Sequence, residues 1–158
     1  MKTATVKQIK DELKHNSQEE LMSLCLRLSR FKKENKELLT YLLFEAHDEA
    51  SYIENVKQEI DLQFESINTD SYFYIKKSVR KILRLIKKYS RYSLKKETEV
   101  ELLLYFCEKL KNFRPSIKNN ITLTNIFDRQ IASIKKIISG LHEDLQYDYT
   151  VTLEALDA

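Results

Sequence analysis

One glycine and one proline in 158 residues leave this chain few ways to fold a strand back on itself. Tight β-turns draw on Gly, Pro, Asn and Asp because these residues supply or preset the backbone angles that a turn needs. The rest of the chain is rich in Lys, Leu, Ile and Glu, which favour helix. The same scarcity removes the Gly-rich phosphate loop, the dinucleotide fingerprint and the nucleophile elbow, each of which needs several glycines. The expected fold is all-α, a single-domain antiparallel helical bundle of five to seven helices with two or three long members.

Apolar spacing divides the chain further. Thr5 opens a short helix over about 5–15, with Val6, Ile9 and Leu13 inward. Ser17 and Glu20 have the capping-box form, in which each side chain satisfies the other's free backbone N–H, and start a helix over 17–30. A long helix is expected over 36–67, with Leu39, Leu42, Leu43, Ala46, Ala50, Ile53, Ile60, Phe64 and Ile67 as its stripe. After a turn at Asn68–Asp70, residues 71–90 repeat Ile75, Val79, Ile82, Ile86 and Tyr89 at alternating spacings of four and three. A helix over 95–112 uses Val100, Leu103, Leu104, Cys107 and Leu110. The loop that follows holds Pro115, and a last long helix over 122–146 carries Phe127, Ile131, Ile134, Ile138, Leu141 and Leu145. The apolar phase passes through Gly140 unbroken, so that helix is expected to continue there. Residues 1–146 thus form the helical bundle domain, and 147–158 form an acidic tail that frays or docks loosely.

Charge is distributed unevenly. Ser71–Lys96 contains ten Lys/Arg and no Asp/Glu, whereas Glu34–Asp70 contains ten acids and two Lys. Lys76, Lys77, Arg80, Lys81, Arg84, Lys87, Lys88 and Arg91 cover the helix face opposite the apolar stripe. Such a face contacts an anionic partner, or it is a solvated surface, or it is neutralised by the acidic segment before it. Glu54, Glu59, Asp61 and Glu65 are the acids expected beside residues 76–88. Clustered Lys/Arg also bind phosphate backbones, and Tyr72, Phe73, Tyr74, Tyr89 and Tyr92 at the two ends of the helix are aromatic groups on which unpaired bases can stack.

Other chemistry finds little support. Glu12–His15 has the Glu-x-x-His form of di-iron bundles, but those sites need a second such motif and two further carboxylates. Glu45, His47, Asp48 and Glu49 are too close in sequence to point one way from a helix, as are His142, Glu143 and Asp144. Cys25 and Cys107 both fall among leucines, the usual setting of a cysteine that acts as a small hydrophobe. No cofactor, metal or catalytic residue is therefore expected. The strict four–three alternation of the last helix makes it a candidate seam for a homodimer.

Val6-Lys-Gln-Ile-Lys-Asp-Glu-Leu-Lys followed by Ser17-Gln-Glu-Glu-Leu resembles the helix–turn–helix start of small DNA-binding SAP modules over about thirty residues. That pattern has a glycine in the connecting turn, where this chain has His15–Asn16. The resemblance implies DNA binding but transfers no residue role.

No apolar leader is visible at the N-terminus and no apolar run is long enough to span a bilayer, so a cytoplasmic protein without a membrane partner is expected. The functional expectation is a non-enzymatic helical interaction or scaffold protein that presents charged helix faces to a protein partner. The alternative is nucleic-acid binding through the basic face of 71–96.

Overall fold

A computed structural model describes residues 1–157. It is all-helical, with eight α-helices and no strand among the described residues. They are α1 (Val6–Leu13), α2 (Gln18–Phe31), α3 (Lys33–Thr40), α4 (Glu49–Glu65), α5 (Tyr72–Ser93), α6 (Lys96–Asn112), α7 (Ile121–Ile138) and α8 (Glu143–Asp157). A π-helical turn occupies Tyr41–Glu45 and a 3₁₀ turn occupies Ile117–Asn119. No helix among the described residues is long and apolar enough to cross a membrane.

The helices exceed the expected five to seven because two long ones are divided. The stretch read as one helix over 36–67 is α3, the π turn and α4. The sequence carries a stop and a start there: Asp48 caps α4 by accepting from the Ser51 backbone N–H at 3.2 Å. The π turn and the break change the helical phase, so Leu42 and Leu43, expected inward, lie exposed. The stretch read as 122–146 ends at Ile138. Gly140 lies in the turn that follows, and α8 begins at Glu143. The acidic residues 147–157, read as a fraying tail, are helical, with Leu153 buried. Leu145, Tyr149 and Leu153 recur at four-residue spacing, which gives α8 an inner face despite its acids.

By its internal contacts the chain divides into two compact units, residues 1–44 and 45–158. The first holds α1–α3 and part of the π turn. Thr5 and Ser17 both form complete capping boxes, with Gln8 and Glu20 as their partners. None of α1, α2 or α3 has a buried residue, and Tyr41 is the single buried side chain among the described residues of this unit.

The second unit contains a dense core organised around α6, which packs on α4, α5, α7 and α8. Val100, Leu102, Leu103, Phe106, Cys107 and Leu110 of α6 are buried on nearly every side of the helix. They meet Val56, Ile60 and Phe64 of α4, Ile75, Val79, Ile82 and Ile86 of α5, and Leu123, Ile131 and Ile134 of α7 in one buried layer. The Phe64 ring lies 5.9 Å from Phe106 and 6.0 Å from Phe113, both tilted.

Candidate anion-binding face

α5 places the basic side chains. Its buried row is Ile75, Val79, Ile82, Ile86, Ser90 and Tyr92. Ser90 takes the inward place expected of Tyr89, which is half-buried. Side chains about 180° away from this row cannot reach the core, so they face water. Lys77, Arg80, Lys81, Arg84, Lys87 and Arg91 are exposed, and Lys76 and Lys88 are half-buried at the edges. Phe73, Lys77, Arg80, Arg84, Lys87 and Arg91 follow one another at spacings of three and four along the outermost line. At 1.5 Å per residue this line runs about 27 Å.

Neutralisation by the acidic segment does not take the expected form. Among the described residues, no ion pair joins Lys76, Lys77, Arg80, Lys81, Arg84, Lys87 or Arg91 to a carboxylate. Two acids of α4, Asp61 and Glu49, bond to α6 and to the α5–α6 junction, and Glu59 accepts from Gln63 in its own helix at 3.0 Å. Asp61, expected beside α5, pairs with Lys109 of α6 at 2.7 Å and accepts the Tyr105 hydroxyl at 2.8 Å. Glu49 accepts the hydroxyls of Ser93 and Thr98, the latter at 2.6 Å, and its other oxygen lies 3.7 Å from Lys95. Lys95 and Lys96, the last two cations of the basic segment, are thereby engaged, Lys96 with Glu99 at 3.0 Å. Lys88 rests over the Tyr89 ring at 5.0 Å.

The aromatic residues named from sequence separate into two groups. Tyr72 donates its hydroxyl to the Ser116 carbonyl at 2.9 Å, Tyr92 is buried, and the Tyr89 ring stands edge to face with it at 5.9 Å. These side chains belong to the fold. Phe73 and Tyr74 are exposed and stand edge to face, 5.4 Å apart. Only Phe73 lies on the basic line.

A concavity in this unit lies between α4, α6 and α8, lined by Lys57, Glu101, Tyr105, Lys111 and Tyr149 among others. Several of its polar groups are matched to one another or to the backbone. Lys57 sits 3.8 Å from Glu101, Tyr149 donates to Glu101 at 3.4 Å, and Lys111 donates to the Leu156 carbonyl at 2.7 Å. Burial and the Glu101 charge push the Tyr149 hydroxyl up to about 12, so it holds its proton at neutral pH. Tyr105 has an ammonium near its ring from each of Lys57 and Lys109, at 5.4 and 5.2 Å. Sequence reasoning missed the Asp61–Tyr105–Lys109 group. The four-residue spacing of Tyr105 and Lys109 was its one visible trace.

Glu12 and His15 lie on or next to α1 and are exposed, as is Cys25, whereas Cys107 is fully buried. No three His, Cys, Asp or Glu side chains converge as a metal would require among the described residues. The apolar seam of the last helix lies inside the second unit, where Ile131, Ile134 and Ile138 are buried. No family model, no curated protein and no solved structure matches this chain, so the SAP resemblance of its opening residues gains no further support.

Proposed function

We propose that the protein is a non-enzymatic helical interaction protein, and that the α5 face formed by Lys76, Lys77, Arg80, Lys81, Arg84, Lys87, Lys88 and Arg91 docks an acidic surface of a protein partner. The observation that carries this reading is the direction of the α4 carboxylates. Asp61 and Glu49 bond to α6 and to the α5–α6 junction, and the outer line of α5 keeps its charge. Clustered like charge on a rigid helix steers an oppositely charged partner and raises its rate of encounter. The second unit then acts as an antiparallel bundle that holds α5 straight. In keeping with this, Tyr52 near the start of α4 bonds to Tyr89 near the end of α5. A cytoplasmic setting suits the two unpaired cysteines.

Single-stranded nucleic acid is the second reading. It rests on Phe73, an exposed ring at the head of the basic line, where a base could stack while the cations follow the phosphates.

Fluorescence anisotropy with a labelled poly-glutamate peptide and with labelled single-stranded DNA and RNA tests both. The primary reading expects the peptide to bind, and the triple variant Arg80→Glu, Arg84→Glu, Arg91→Glu to abolish binding. Preference for the nucleic acids, with a loss on Phe73→Ala, would move the second reading to first place. No binding to any probe at low salt would overturn both.

A further inference from the structure

α2 carries apolar side chains that its own unit leaves exposed, although α3 packs on the same helix. Met22 is 58% exposed and Leu26 43% exposed on α2, and the helices on either side contribute no buried residue. A helical unit of about 40 residues cannot usually build a sufficient core alone and relies on a metal, a disulfide or association. Apolar surface grouped in this way marks an interaction site.

We propose that α2 pairs with α2 of a second copy of this chain, antiparallel about a two-fold axis that passes near Cys25. Met22, Cys25, Leu26 and Ser29 recur at spacings of three and four, so they share one side of the helix and form the seam. Glu19 and Arg30 flank the same edge of that seam at opposite ends of α2. Eleven residues, about 16 Å of helix, separate them, so they cannot pair with each other.

Charge then selects both the occupant and its direction. A parallel pair would carry the two copies of this edge to opposite sides of the seam, where Glu19 and Arg30 could not meet. An antiparallel pair sets Glu19 of each copy beside Arg30 of the other, and two-fold symmetry makes the contact twice. A uniformly acidic or basic partner would match one end of α2 and repel the other. Cys25 lies at the middle of α2, so the axis brings the two Cys25 side chains within about 10 Å, the distance between packed helices. This inference is independent of the reading of α5, which lies in the other unit.

Light scattering on the full chain, coupled to size exclusion, tests it together with a short-spacer bis-maleimide. The expected result is a dimer that the reagent links covalently, with no link in Cys25→Ser. Glu19→Arg or Arg30→Glu alone should weaken dimerisation by about tenfold, since two pairs are lost and two repulsions created. The double variant should restore it, a recovery that a misfolded helix would not give. A wild-type monomer at every concentration would overturn the proposal. So would a dimer unaffected by either single reversal, or single losses that the double variant fails to recover.

Discussion

Asp61 on α4 and Lys109 on α6 form an ion pair of 2.7 Å, and Tyr105, one turn before Lys109, donates its hydroxyl to the same carboxylate. This arrangement ties Asp61 to α6, and among the described residues no ion pair joins Lys77, Arg80, Lys81, Arg84, Lys87 or Arg91 of α5 to a carboxylate. Burial pushes the Asp61 carboxyl up, but hydrogen bonds from Lys109 and Tyr105 and the Lys109 charge outweigh it, and the group is held below its ordinary value of 3.8. A carboxyl held low in the folded state contributes stability above its unfolded value, and that contribution is lost as pH falls through the folded one. Asp61→Asn should therefore destabilise the protein by about 1 kcal/mol at neutral pH, the modest figure of a pair partly screened by solvent. Urea unfolding of both proteins at about pH 7 and about pH 3 checks this, and the gap should narrow at the lower pH.

Phe106 is fully buried where α4 and α6 meet, against Phe64. Truncating a buried aromatic removes its transfer free energy and leaves a cavity that the neighbours fill only partly. Phe106→Ala should lower unfolding stability by about 3–5 kcal/mol. Denaturant unfolding followed by circular dichroism gives the value, and a loss below about 1 kcal/mol would contradict the packing described for α6.

Leu94 ends α5 in the left-handed region at φ 60, with its N–H on the Ser90 carbonyl, and its side chain is exposed. A side chain there crowds the backbone, while glycine adopts the same angles freely. Leu94→Gly should raise stability by about 1 kcal/mol, because relief of strain meets little loss of packing. Thermal unfolding would show a higher midpoint, and a lower one would contradict this description of the cap.

The two thiols differ in setting. Cys25 is exposed, and Cys107 is enclosed in the α6 core, where burial pushes its thiol up to about 12. The thiolate is the reactive form, so Cys107 should resist reagents in the native state. An aromatic disulfide reagent at neutral pH should leave Cys107 unmodified until denaturant is added. Two fast thiols in the native protein would contradict the core assignment.

Much of the second unit was legible because its helices bury one face. The α5 row of Ile75, Val79, Ile82 and Ile86 follows the helical period without interruption, and the basic residues follow from it by subtraction. The break at 41–48 was hidden because Leu42, Leu43 and Ala46 continue an apolar run that fits a helix of either phase. The signal that decides it is Asp48 with Ser51, a cap inside an apolar pattern. The order of α8 was masked by its acids, although Leu153 keeps an inward position. The direction of the α4 acids was not legible at all. Asp61 finds a partner more than forty residues away, and helical spacing alone does not tell α5 from α6 as its neighbour.

The measurement closest to the central claim is the salt dependence of poly-glutamate binding to the wild-type protein and to the Arg80, Arg84 and Arg91 triple charge-reversal variant. The account predicts that wild-type affinity falls steadily as ionic strength rises, because the contact is made by exposed cations within reach of screening. It also predicts that the variant does not bind at low salt. Binding that ignores salt, or that survives reversal of these three charges, would contradict the assignment of α5 as the docking face.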